Sequence, residues 1–123
     1  MATAPARRVL VIDDERGIRS LTARALALAG FTVALAATGH QGLSIALLDP
    51  CDLVVLDLDL PDLDGEELLQ RLRRQRPGQA VLIWSATGDR HAASRCRSLG
   101  ACGYLAKPFS LNELIRSVTA TCP

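Results

Sequence analysis

The 123-residue sequence predicts an α/β fold, a doubly wound parallel sheet with helices on both faces. Three observations support this. Short, wholly apolar runs such as Val9-Leu10-Val11-Ile12 and Leu53-Val54-Val55-Leu56 have the pattern of strands buried on both faces. Segments with helical apolar spacing stand between those runs, so strand and helix alternate along the chain. Glycine, proline and aspartate punctuate the joins, at Gly30, Asp49-Pro50, Pro77-Gly78 and Gly100.

Residues 1–7 form an expected flexible tail, and 8–122 a single domain. The first strand ends in Asp13-Asp14-Glu15. A helix then runs from Arg16 to Ala29, stopped by Gly30. Phe31 to Ala36 is the second strand, and Gln41 to Leu48 a short helix closed by Asp49-Pro50. The third strand ends at Asp57. Its following loop holds Pro61 and Gly65, and Glu66 to Arg76 is helical with Leu68, Leu69 and Leu72 inward. Ala80 to Trp84 is the fourth strand, ending at Ser85, and Asp89 to Leu99 the fourth helix. Gly103 to Ala106 is the fifth strand, ending at Lys107-Pro108. Ser110 and Glu113 form a capping box for the last helix, to about Thr121. Right-handed crossovers restrict the strand order, and 2-1-3-4-5, the flavodoxin-like arrangement, is the common five-stranded solution.

Composition excludes several functions. The net charge of +1 gives no excess that points to nucleic acid, a membrane surface or polyanions. The arginines at 71, 73, 74 and 76 fit a solvated helix face better than a DNA contact, since no recognition motif accompanies them. Cys51, Cys96, Cys102 and Cys122 form no CxxC pair, and His40 and His91 lack metal-site spacing. Reduced thiols in a cytoplasmic protein are expected. No signal peptide is visible, and no run approaches the roughly 20 apolar residues of a membrane helix.

The chemistry collects at one rim of the sheet. In doubly wound sheets ligands bind beyond the carboxyl ends of the strands, at the switch point between strands 1 and 3. Those ends carry Asp13 and Asp14, Asp57, Ser85 and Lys107. Carboxylates on neighbouring strands cannot all stay ionised without compensation. A hard divalent cation supplies it: Mg²⁺, or Mn²⁺ in its place, takes one or two carboxylates with waters and a phosphate. Lys107 would balance phosphate charge, and the Ser85 hydroxyl would donate to a phosphoryl oxygen. Asp13 or Asp14 alone would suggest a helix cap, and Asp57 alone a loop carboxylate. Their joint placement with Ser85 and Lys107 reverses that.

In the segments VLVIDDE, VVLDLDLPDLDG, LIWSAT and GYLAKPF the sequence resembles the response-regulator receiver family, over nearly its whole length. The spacing also matches: Ser85 lies 28 residues after Asp57 (85 − 57) and Lys107 lies 22 after Ser85 (107 − 85). The resemblance implies that Asp57 accepts a phosphoryl group from a phosphohistidine on a sensor histidine kinase or phosphotransfer protein. Asp14 would then bind the metal directly, Asp13 through water, and Asp59 through its backbone carbonyl. Lys107 would pair with Asp57 or its phosphate, before a cis Lys107–Pro108 bond. Ser85 would move toward the phosphate and Tyr104 rotate inward, forming the two-state element. Asp59 and Thr87 would flank the path of the hydrolytic water and tune dephosphorylation. Trp84 departs from the usual aliphatic residue, and core packing is its expected role, with no chemistry of its own.

On the first helix, Ile18, Leu21, Thr22, Ala25, Leu26, Leu28 and Ala29 span about 160° of arc, wider than the core stripe requires. The surplus edge, Ile18 and Leu21, resembles the family's kinase-docking patch. A downstream effector or a homodimer would use the face of helix 4, strand 5 and helix 5. No direct nucleic-acid or membrane contact is expected.

Other functions compete. Asp57-Leu58-Asp59 satisfies the DxD of aspartate-nucleophile phosphatases of the haloacid-dehalogenase type. However, Pro61 stands where Thr or Val is expected, the motif follows the third strand rather than the first, and the chain is short for that fold. A flavodoxin-like cofactor module would need a Ser/Thr/Gly-rich loop where Asp13-Asp14-Glu15 stands. A degenerate receiver used only for docking is disfavoured, because every required residue is present. The protein is therefore expected to consume a phosphodonor once per site and release phosphate slowly, rather than to turn over as an enzyme.

Overall fold

The computed structural model describes residues 7–86, 89 and 91–121. Its strands are β1 (Arg8–Ile12), β2 (Thr32–Ala36), β3 (Leu53–Asp57), β4 (Ala80–Ser85) and β5 (Gly103–Ala106). Its helices are α1 (Arg16–Leu28), α2 (Gly39–Leu48), α3 (Gly65–Gln75), α4 (Ala92–Ser98) and α5 (Leu111–Thr121). The sheet is parallel throughout, in the expected order β2-β1-β3-β4-β5.

Alternation along each strand divides the interior into two cores. Val9, Val11, Leu53, Val55, Leu82 and Trp84 face Leu26 of α1 and Leu114 and Val118 of α5. Leu10, Ile12, Val54, Leu56, Val81 and Ile83 face Leu68, Leu69 and Leu72 of α3, with Ala46 of α2 and Cys96 of α4. β3 is buried along its whole length, which explains its unbroken apolar run. Burying such a side chain stabilises the fold by about 1.5–3 kcal/mol.

Two helices end as the sequence requires. Gly30 and Gly100 have φ of 99° and 101°, a region that favours glycine. Behind them Phe31 N–H reaches Leu26 O and Ala101 N–H reaches Cys96 O, the bond pattern of a Schellman cap. At α5 the capping box is formed in both directions, between Ser110 Oγ and Glu113 N–H and between Glu113 Oε1 and Ser110 N–H.

The boundaries depart from expectation at three places. α2 begins at Gly39, not Gln41, because Asp62 in the β3–α3 loop accepts hydrogen bonds from the Gly39 and His40 N–H groups at 2.9 Å. α4 begins at Ala92, not Asp89. The Asp89 carboxylate accepts the His91 N–H, a local turn that competes with helix. Leu28, counted on the apolar arc of α1, is 88% exposed, so the buried stripe of that helix is narrower than the arc. The arginines of α3 also differ from a merely solvated face. Arg73 and Arg76 donate to the carbonyls of Gln79 and Leu47 and anchor the helix end, while Arg71 pairs with Glu67.

Candidate functional site

β1 and β3 are neighbours, so Asp13, just past β1, and Asp57, the last residue of β3, come together. Carboxylate oxygens of Asp13, Asp14 and Asp57 lie within 4.8 Å of one another. Asp13 and Asp57 are buried, whereas Asp14 faces solvent. Lys107, carried to the site by β5, places Nζ 2.8 Å from Asp13 Oδ2 and 3.4 Å from Asp57 Oδ2. The resemblance implied the lysine's bond to Asp57; its shorter bond is to Asp13.

Backbone donors fix the two buried carboxylates. Asp57 Oδ1 accepts the Asp59 N–H at 3.0 Å, and Asp13 Oδ1 accepts the Glu15 N–H at 2.9 Å. Arg19 of α1 holds the Asp13 carbonyl at 2.8 Å. The Lys107–Pro108 bond is cis, as the resemblance implied.

Burial pushes the Asp57 carboxyl up to about 6; the Asp59 N–H opposes the rise, the Asp13 charge adds to it, and the Lys107 ammonium opposes it. For Lys107, burial alone would lower the pKa, but the Asp13 hydrogen bond and the Asp57 charge outweigh it and leave it raised. One ammonium therefore does not neutralise three clustered carboxylates. The residual negative charge, all on hard oxygen donors, fits a small divalent cation.

The remaining candidates occupy distinct places. Ser85, the last residue of β4, donates its hydroxyl to Asp59 Oδ2 at 3.0 Å, a partnership the sequence did not reveal. Tyr104 packs against the α3-side core and its hydroxyl is already buried, with no partner among the described residues. Ile18 lies partly buried beside Phe109, Pro108 and Lys107 around an open depression, while Leu21 is 53% exposed. Thr87 lies outside the described residues. Trp84 was assigned to core packing, and it does pack, fully buried and stacked on Phe109 with ring centroids 5.2 Å apart. It also does more: Lys107 Nζ sits 5.3 Å from its ring centroid.

Comparison with known proteins identifies the family. The family model described as "Response regulator receiver domain" matches residues 9–119. Sporulation initiation phosphotransferase F of Bacillus subtilis is 34% identical over 116 residues, covering 94% of each chain. Transcriptional regulatory protein TcrA of Mycobacterium tuberculosis is 42% identical over 92% of this chain but 45% of its own length. The chain thus spans about half the length of that relative, and likewise 49% of the regulator CusR of Escherichia coli. Among solved structures, the receiver domain of the Francisella response regulator 1452 is 32% identical with a TM-score of 0.88, covering 94% of this chain and 95% of that one.

Proposed function

Because the chain belongs to the response-regulator receiver family, we propose that Asp57 is the residue that carries its phosphoacceptor function. The observation that supports this most strongly is the Lys107 ammonium held between Asp13 and Asp57 at the switch point of the sheet. An Asp57 oxygen would form a bond to phosphorus while the bond from phosphorus to the donor imidazole of a phosphohistidine breaks. The electron pair leaves with the imidazole, and no general base is needed once Asp57 is ionised. Lys107 meets the negative charge of the phosphoryl oxygens, and the Asp59 N–H holds the attacking carboxylate in place.

Asp14, Asp57 and the Asp59 carbonyl would hold Mg²⁺ or Mn²⁺, with Asp13 assisting through water. When bound, that cation supplies neutralisation of the phosphoryl charge. Ser85 would leave Asp59 for a phosphoryl oxygen, and Tyr104 would take up the space it vacates. The phosphodonor is a sensor histidine kinase or phosphotransfer protein, docking at the Ile18 and Leu21 edge of α1. An effector or second copy would read the state on the α4–β5–α5 face. No helix among the described residues is long and apolar enough to cross a membrane; the signalling role proposed here is a cytoplasmic one.

Incubation with acetyl phosphate and Mg²⁺, followed by intact mass, tests the assignment. One phosphate should be gained, lost in Asp57→Asn and blocked by a chelator. A folded protein that gains none at any donor concentration would reject it.

A further inference from the structure

Trp84 is buried directly beneath the charged cluster. In the β3–β4 register it is the partner of Asp57, so both side chains project from the same face of the sheet. Its indole stacks nearly parallel on Phe109, with 18° between the planes, and Lys107 Nζ stands within cation–π range of the ring. The lysine is thereby confined by two carboxylates and one aromatic ring, with only 12% of its side chain exposed.

Packing alone does not explain an indole here. Its Nε1–H is buried and has no hydrogen-bond partner among the described residues. An unpaired buried donor is costly, and an aliphatic side chain would fill the core without that cost. What an aliphatic residue lacks is a π-face for the ammonium. Lys107 also follows a short strand and carries a long, rotamer-rich chain, so the ring adds a third restraint to those of Asp13 and Asp57.

We propose that Trp84, braced by Phe109, is a positioning residue for phosphoryl transfer: its ring holds the Lys107 ammonium at Asp13 and Asp57. The proposal rests on the phosphoacceptor assignment above. The ring also covers one side of the Lys107 ammonium, and an ion pair shielded from water acts more strongly.

Two measurements test it. The first is the rate of phosphate gain from acetyl phosphate and Mg²⁺ in wild type, Trp84→Leu and Trp84→Phe, each with its melting temperature. Leu removes the π-face and should slow the reaction about tenfold; Phe keeps one and should lose less than about threefold. Rates that simply follow lost thermal stability, or a Leu variant as fast as wild type, would overturn the proposal. The second uses the chain's single tryptophan as its own reporter. Lys107→Met should alter Trp84 emission while the far-ultraviolet circular dichroism stays unchanged; superposable emission spectra would overturn the contact. Failure of wild type to gain phosphate would refute the phosphoacceptor assignment instead, and the emission test would still decide the contact.

Discussion

The Ser85 hydroxyl donates to the Asp59 carboxylate at 3.0 Å, tying the end of β4 to the loop after β3. A hydroxyl carries one proton, so Ser85 cannot give it to Asp59 and to a phosphoryl oxygen at once. Asp59 is therefore a competitor for the residue proposed to sense the phosphate. Asp59→Ala should remove this competitor for the Ser85 proton and lengthen the half-life of the phosphorylated form, about three- to tenfold. Asp59→Asn keeps an acceptor but loses the charge, and should fall between. Timing phosphate loss by mass checks this, and equal half-lives in all three proteins would reject it.

The raised carboxyl of Asp57 makes a prediction about stability. With a folded pKa of about 6 against an ordinary 3.8, the folded state binds a proton that the unfolded chain has released. The contribution favours folding most below pH 4, declines as pH rises toward 6, and then levels off. The loss is about 3 kcal/mol, the difference of roughly two units converted at 1.36 kcal/mol each. Asp57→Asn removes the titration, so it should match wild type near pH 4 and melt roughly 10 °C higher above pH 6. Millimolar Mg²⁺ at pH 7 should narrow that gap by stabilising wild type more than the variant, which lacks one of the carboxylates. A difference between the two proteins that does not vary with pH would count against this account.

Asp62 connects the loop carrying the site to the other sheet edge, capping the first two N–H groups of α2 from 23 and 22 residues away. Those hydrogen bonds hold its carboxyl below the usual range. Asp62→Ala should expose the Gly39 and His40 amides, so that hydrogen exchange there accelerates at least tenfold. Thr38 still accepts the Gln41 N–H, so the amides of the helix middle should keep their protection.

Strand order and the rim of Asp13, Asp14, Asp57, Ser85 and Lys107 were legible because they follow from local pattern. Apolar runs fix the strands, and the first polar residue after each run must stand at the carboxyl edge. What the sequence hid are contacts between loops far apart in the chain. No periodicity indicates that Lys107 lies closer to Asp13 than to Asp57, that Asp59 holds Ser85, or that Asp62 lengthens α2. Trp84 showed its burial through the strand pattern, but its neighbour Lys107 is fixed only by the β4–β5 pairing and the turn beyond it.

Gly65 and Gly17 should respond in opposite ways to alanine. A Cβ at Gly65 would lie 2.5 Å from Leu58 Cα and 3.0 Å from Asp57 O, both backbone atoms that cannot rotate away. The first turn of α3 is thus pressed against Leu58, the residue after Asp57. Gly65→Ala must push Leu58 outward, costing about 2 kcal/mol and displacing the Asp59 N–H that holds Asp57. Phosphorylation by acetyl phosphate should slow several-fold as well. At Gly17, in the first turn of α1, an added Cβ meets nothing within 4 Å. Gly17→Ala should stabilise by about 0.5–1 kcal/mol through reduced backbone freedom, with the phosphorylation rate unchanged. Chemical denaturation and the mass assay on both variants check the pair. A Gly65→Ala protein with wild-type stability would show that the α3–Leu58 contact is looser than the structure has it.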